Sequence, residues 1–288
     1  MPLAKIWIPA LFVLLWSTGF IGARLGLPYA GPLTFLSLRY ALAVGLLVVI
    51  ALLVRAPWPR RPADIVHYAV AGLLVHGVYL GGVFVGISLG VEAGLSALIV
   101  SLQPLLVAAF AGVLLGERVS ARQWLGLALG FTGVALILFH KLGGGLSDAL
   151  GGLACVAALL GITAGTLYQK RYGTAMDLRT GTAIQFAAAG LATAPLALLF
   201  EQGRVVWTGE FLFALLWLVL VLSLGAVSLL YVLIRRGAAA SVSSLFFLVP
   251  PCTALIAWPL FGERLGPAAL LGMALTLAGV MLATRPAR

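Results

Sequence analysis

Ten apolar runs dominate this chain, at about residues 6–23, 33–54, 66–88, 93–115, 121–139, 150–169, 180–200, 211–233, 238–261 and 267–284. Each is close to the roughly 20 residues a helix needs to cross a bilayer, and twice the length of a barrel strand. In hydrocarbon every backbone N–H and C=O must be satisfied internally, which leaves helices as the only option for runs of this length. The chain is 62% hydrophobic and 9% charged, against about 25% charged in soluble domains. No soluble core could hide that much apolar surface. The fold class expected is therefore an all-α integral membrane protein with ten transmembrane helices. The gaps between runs are too short for a soluble domain. Lys5 before the first run resembles the start of a signal peptide. No soluble mature domain follows, and Trp16–Phe20 makes a poor cleavage region, so the first run is expected to be a retained helix.

Charge fixes the expected orientation. Numbering the loops alternately, one side collects Lys5, Arg55, Arg60, Arg61, Arg118, Arg122, Lys170, Arg171, Arg179, Arg235, Arg236, Arg285 and Arg288. The other collects only Arg24, Lys141, Arg204 and Arg264, a split of 13 to 4. Basic residues concentrate on the cytoplasmic side of membrane proteins, so both termini are expected there. The net charge of +10 then reads as topological anchors facing anionic headgroups, not as a nucleic-acid surface. The partners expected are a small-molecule substrate and membrane lipid, and no nucleic acid.

A second feature is internal. Residues 114–138 (LLGERVSARQWLGLALGFTGVALIL) and 260–284 (LFGERLGPAALLGMALTLAGVMLAT) agree at 11 of 25 positions, including Gly116-Glu117-Arg118 and Gly262-Glu263-Arg264. The offset of 146 residues spans five helices. Five is odd, so the second copy enters the membrane inverted. Weaker matches pair Leu15–Thr18 with Leu160–Thr163, and Pro104 with Pro250. The expected organisation is one transmembrane unit of two inverted five-helix repeats, 1–142 and 143–288. Inverted repeats are typical of secondary transporters, in which the halves exchange conformations around a site near the midplane.

These residues carry a resemblance. Each half has Pro, an apolar run, Gly-Glu-Arg and a glycine-spaced last helix: Pro104, Gly116-Glu117-Arg118, Gly126 and Gly133 in one, and Pro250, Gly262-Glu263-Arg264, Gly272 and Gly279 in the other. With Trp16-Ser17-Thr18-Gly19-Phe20 and Leu38-Arg39-Tyr40, the chain resembles the EamA branch of the drug/metabolite transporter superfamily over its whole length. The resemblance implies export of small metabolites. Its aromatic and small polar residues look most like the aromatic amino-acid exporters of the YddG type.

Polar side chains inside spans are costly and tend to face an interior path. That filter selects Trp16 and Ser17 in the first span, His76 and Tyr79 in the third, Ser101 in the fourth, Thr163 in the sixth and Ser244 in the ninth as candidate substrate contacts. Each has a plainer alternative, since hydroxyls also bond their own helix or glue neighbouring ones. His76 is either a substrate partner or a histidine tied to a hydroxyl. Pro104 and Pro250 are expected to bend their helices and free the carbonyls of Val100 and Phe246. Arg39, about 9 Å into the second span, is assigned a structural role, with Gln185 at its mate position. Tyr168, near the cytoplasmic end of the sixth span, is assigned to a gate. Gly116-Glu117 and Gly262-Glu263 are assigned to paired helix–turn–helix clamps, with Gly116 ending its helix in a left-handed residue. The cavity is expected between spans one, three, four, six, eight and nine.

Absences narrow the function. No Asp or Glu lies mid-span, which weakens proton-coupled cation antiport. There is no Gly-rich phosphate loop for ATP, no nucleophile elbow, and Cys155 and Cys252 are isolated in apolar runs, which supports neither a disulfide framework nor a metal site. No cofactor, no metal and no enzymatic activity are expected. The leading expectation is an exporter of amphipathic metabolites, monomeric or homodimeric, in the inner membrane. A carrier of drugs or of phosphorylated, nucleotide-linked metabolites and a non-transporting membrane protein are the alternatives.

Overall fold

The computed structural model describes residues 4–115, 120–142, 146–172, 177–226, 229 and 246–284. The described residues form ten helical spans and, apart from one isolated bridge, no strand. They are α1 (Ala4–Gly26), α2 (Pro32–Leu53), α3 (Pro62–Ser88), α4 in two pieces (Ala93–Val100 and Gln103–Leu115), α5 (Ala121–Leu142), α6 (Leu146–Tyr172), α7 (Leu178–Glu201), α8 (Gly209–Ala226), α9 (Val249–Phe261) and α10 (Pro267–Thr284). Six of them are long and apolar enough to cross a membrane, and α4, α5, α9 and α10 contribute shorter apolar helices. Gly116, Glu117 and Ser244 lie outside the described residues.

Prolines mark the starts. Pro32, Pro62 and Pro250 occupy the first turn of α2, α3 and α9, where the missing N–H has no intrahelical acceptor to lose. The expected bend at Pro104 takes the same form. Helix α4 breaks at Ser101–Leu102, and Pro104 is the second residue of the new piece. Pro104 and Pro250 therefore begin helical segments instead of kinking continuous ones. At the other end of α9, Gly262 adopts φ +68° and its N–H bonds the Trp258 carbonyl, a left-handed stop that glycine makes without strain.

Helix pairing is regular. The most extensive contacts are between α5 and α10 and between α3 and α6, followed by α2 with α7; α4 packs on α9, α1 on α8 and α9, and α6 also on α4. Exchanging every helix for the one five places along carries these pairs onto one another. In a bilayer, lipid is as apolar as leucine, so association depends on close packing and small residues. The α5–α10 seam shows this: a Cβ placed on Gly133 would lie 2.5 Å from the Gly272 carbonyl oxygen, and one on Gly279 would lie 2.5 Å from that of Gly126. The glycine faces of these helices are thus consumed inside the chain.

Two segments depart from α-helical spacing. Leu73–Leu80 of α3 and Trp217–Ala226 of α8 are π-helical. The wider π turn rotates the following side chains relative to a regular helix, and such segments concentrate at functional sites. Both flank the central cavity.

Candidate functional site

The centre of the bundle holds a cavity of about 160 Å³. Trp16, Gly19 and Phe20 of α1, Arg39 of α2 and His76, Tyr79 and Phe84 of α3 line one side. Ile162 of α6, Phe186 of α7 and Leu222 and Ser223 of α8 line the other. Four residues singled out in the sequence therefore meet here: Trp16, Arg39, His76 and Tyr79. Among the described residues α2 and α7 also line this cavity, while α4 and α9 contribute no lining residue. Phe186 carries no distinguishing sequence signal, whereas Ser223, a polar residue deep in the eighth run, carries the same one as Ser17 and Ser101.

The walls are built from stacked rings. Trp16 packs edge-on against Phe246 with centroids 5.2 Å apart, and tilted against Phe12 at 5.3 Å. His76 lies 4.2 Å from Phe186, which in turn stacks on Tyr40 at 5.6 Å. The Tyr40 hydroxyl donates to the His76 carbonyl at 2.7 Å, satisfying a backbone acceptor within the π segment of α3. The Ser223 hydroxyl donates to the Leu218 carbonyl at 3.1 Å, five residues back, in register with the π segment of α8.

Arg39 is buried, with 7% of its surface exposed. Among the described residues it makes no hydrogen bond and no ion pair, and its Nε is shielded without a partner. The Nδ1 atom of His76 is likewise buried without one.

The remaining candidates sit elsewhere. The Ser17 hydroxyl donates to Val13 at 2.7 Å and reaches the Val249 carbonyl at 3.3 Å, joining α1 to α9. Ser101 donates to Leu98 at 2.6 Å across the break in α4, and Thr163 to Leu159 at 2.7 Å. These hydroxyls bond carbonyls three or four residues back, the usual way to bury them in a helix. Thr163 and Tyr168 line a separate cleft of about 440 Å³ beside Phe110, Arg171 and Tyr172.

Side chains close both ends of the bundle. At one end the Glu263 carboxylate accepts from the Ala93 N–H at 3.0 Å and lies 3.4 Å from Arg24, joining the α9–α10 loop to α4 and α1. Burial pushes the Glu263 carboxyl above the usual carboxylate range, while the Ala93 amide and Arg24 pull the other way. At the same end Glu201 accepts from the N–H groups of Leu33 and Thr34 at 2.9 and 2.7 Å. A negative charge at the positive N-terminus of α2 is doubly favourable. The Tyr29 hydroxyl donates to Glu210, and Ala30 bridges Val205. At the opposite end Tyr168 bonds His67 Nδ1 at 2.7 Å, and Tyr172 stacks on the His67 ring at 4.4 Å. His67 carried no weight in the sequence, because it lies close to a span boundary. No cluster of His, Cys, Asp or Glu among the described residues is placed to hold a metal.

The model of the EamA-like transporter family matches residues 4–139 and again residues 149–285. An uncharacterized transporter, YvbV, of Bacillus subtilis is 30% identical over 95% of this chain and 89% of its own. A probable terminal-alkyne amino-acid exporter of Streptantibioticus cattleyicolor is 30% identical over 99% of this chain and 95% of its own. A solved crystal structure matches the fold with a TM-score of 0.66 at 22% identity, covering 97% of this chain and 96% of that one. The chain is a multi-pass membrane protein and belongs to the EamA-like transporter family.

Proposed function

We propose that this transporter exports small amphipathic metabolites, foremost neutral and aromatic amino acids, across the inner membrane through the central cavity. The observation that carries this is the cavity itself: a small space among α1, α2, α3, α6, α7 and α8, walled by rings and holding one buried cation. Aromatic faces suit an apolar side chain, and the polar groups suit a charged head. The relative named as an amino-acid exporter supports the same substrate class. The aromatic walls also favour the YddG-type aromatic specificity suggested by the resemblance.

The mechanism proposed is alternating access between two inverted halves, 1–142 and 143–288, with both ends of the chain cytoplasmic. The double family match and the pairing that repeats at a five-helix interval support the halves. In this scheme the Arg24–Glu263 and Tyr29–Glu210 contacts form the outer gate, and His67–Tyr168–Tyr172 the inner one. Pro104 and Pro250, at the starts of helical segments, are the pivots. A nucleotide-linked or multiply phosphorylated cargo is a poor match for a cavity of this size with a single arginine.

The test is release of loaded amino acids from proteoliposomes. Saturable efflux above that of empty liposomes, altered by His76→Ala and Tyr79→Phe, is the expected result. Flux equal to empty liposomes for every neutral and aromatic amino acid tried would refute export.

A further inference from the structure

Arg39 is a buried cation with no counter-charge among the described residues. A guanidinium held at membrane depth is costly unless paired, and nothing among the described residues pairs it. The carboxylates are all remote in sequence from the mid-span, and among the described residues none lines the cavity. Glu201 and Glu263 are committed to the N-termini of α2 and α4. Two shielded nitrogens without partners, Arg39 Nε and His76 Nδ1, belong to the cavity lining. Arginine presents a planar fork of donors that matches a carboxylate with two parallel bonds. A neutral imidazole protonated on Nδ1 adds a further donor.

Among the described residues no carboxylate lines the cavity to pair a positive group. An ammonium in this space would have the rings of Trp16, Tyr79 and Phe186, a weaker hold than a charge pair, and the Ser223 hydroxyl already bonds Leu218. One cation also balances one negative charge, so a dicarboxylate would carry an unneutralised charge into a dry cavity.

We propose that Arg39, assisted by His76, anchors the carboxylate of the transported molecule, and that the cavity selects small monocarboxylates with an apolar body whether or not they carry an amino group. This rests on the export reading above and assigns Arg39 to substrate binding instead of helix clamping.

The experiment compares three molecules with one carbon skeleton: leucine, its deaminated acid 4-methylpentanoate, and leucinamide. Each is measured in two ways: by efflux from proteoliposomes above the leak from empty ones, and by thermal stabilisation of the purified protein in detergent. Leucine and 4-methylpentanoate are expected within a few-fold of each other. Leucinamide, which lacks the carboxylate, is expected to fall by on the order of 10- to 100-fold, the loss for a buried charged hydrogen bond. Arg39→Gln should abolish the preference for acid over amide, and Arg39→Lys should retain part of it. The wild-type comparison stands even if Arg39→Gln fails to fold. Leucinamide handled as well as the acids, or leucine handled and 4-methylpentanoate rejected, overturns the proposal while leaving export intact. Absence of both flux and stabilisation for all three overturns export as well.

Discussion

Gly133→Ala probes the α5–α10 seam against a control supplied by the same chain. The added methyl would sit 2.5 Å from the Gly272 carbonyl oxygen and 2.9 Å from the Thr276 amide, where ordinary contact begins at 3.4 Å. The helices would have to separate by about 0.9 Å there, thinning the dispersion contacts along the seam. Overpacking of this kind costs about 1–3 kcal/mol. Replacing glycine in a helix interior returns up to about 1 kcal/mol of backbone propensity. Gly45 of α2 isolates that second effect, because a Cβ there meets nothing within 4 Å. Gly133→Ala is therefore expected to be less stable than Gly45→Ala by about 1–3 kcal/mol. Unfolding of both variants by SDS titration in mixed micelles, followed by tryptophan fluorescence, measures the difference. Equal stability, or a more stable Gly133→Ala, would refute the close-packed seam.

Three further expectations follow from the helix ends. Asp177 caps α7 by accepting from the Arg179 and Thr180 amides, so Asp177→Ala should cost about 1 kcal/mol at neutral pH. The Arg179 side chain and these amides hold the Asp177 carboxyl below its usual range. Its contribution is therefore present above the ordinary value near 4 and lost as the pH falls below it. The stability gap between wild type and Asp177→Ala should close on acidification, and a gap that widens would contradict the cap. Glu201→Ala leaves the Leu33 and Thr34 amides of α2 without their acceptor and should cost about 1–3 kcal/mol, read in the same titration; no loss would show the cap to be dispensable. Single cysteines at Arg60 and Arg204, both exposed and on loops of opposite parity, should separate in intact cells. An impermeant thiol reagent should label position 204 and spare position 60, and the reverse pattern would invert the topology.

Helix number was legible because hydrocarbon permits so little else: among the described residues every apolar run contains a helix, the fourth broken at Ser101–Leu102, and the start of the ninth lies outside the described residues. Trp16, His76 and Tyr79 stood out as polar or aromatic groups deep in apolar runs, and they do share a cavity. The hydroxyls of Ser17, Ser101 and Thr163 stood out equally but bond their own helices, a distinction that depends on rotamer and not on sequence position. Phe186 was invisible because phenylalanine is unremarkable in an apolar run. Ser223 was as visible as any hydroxyl in a span, but its π segment breaks the periodicity on which face assignment rests. Arg39 was seen but placed as a clamp. Its orphaned Nε, which points to a ligand, is a property of packing alone.

The central claim is that cargo passes through the space beside Trp16, and obstruction of that space tests it most directly. Gly19 lines that space and a Cβ there would make ordinary contact with Leu222, 3.5 Å away, so Gly19→Leu should extend its branched end into the cavity. Leucine efflux from proteoliposomes containing this variant should drop at least tenfold at unchanged thermal stability. Wild-type flux from a stable Gly19→Leu protein would place the path elsewhere and contradict the account.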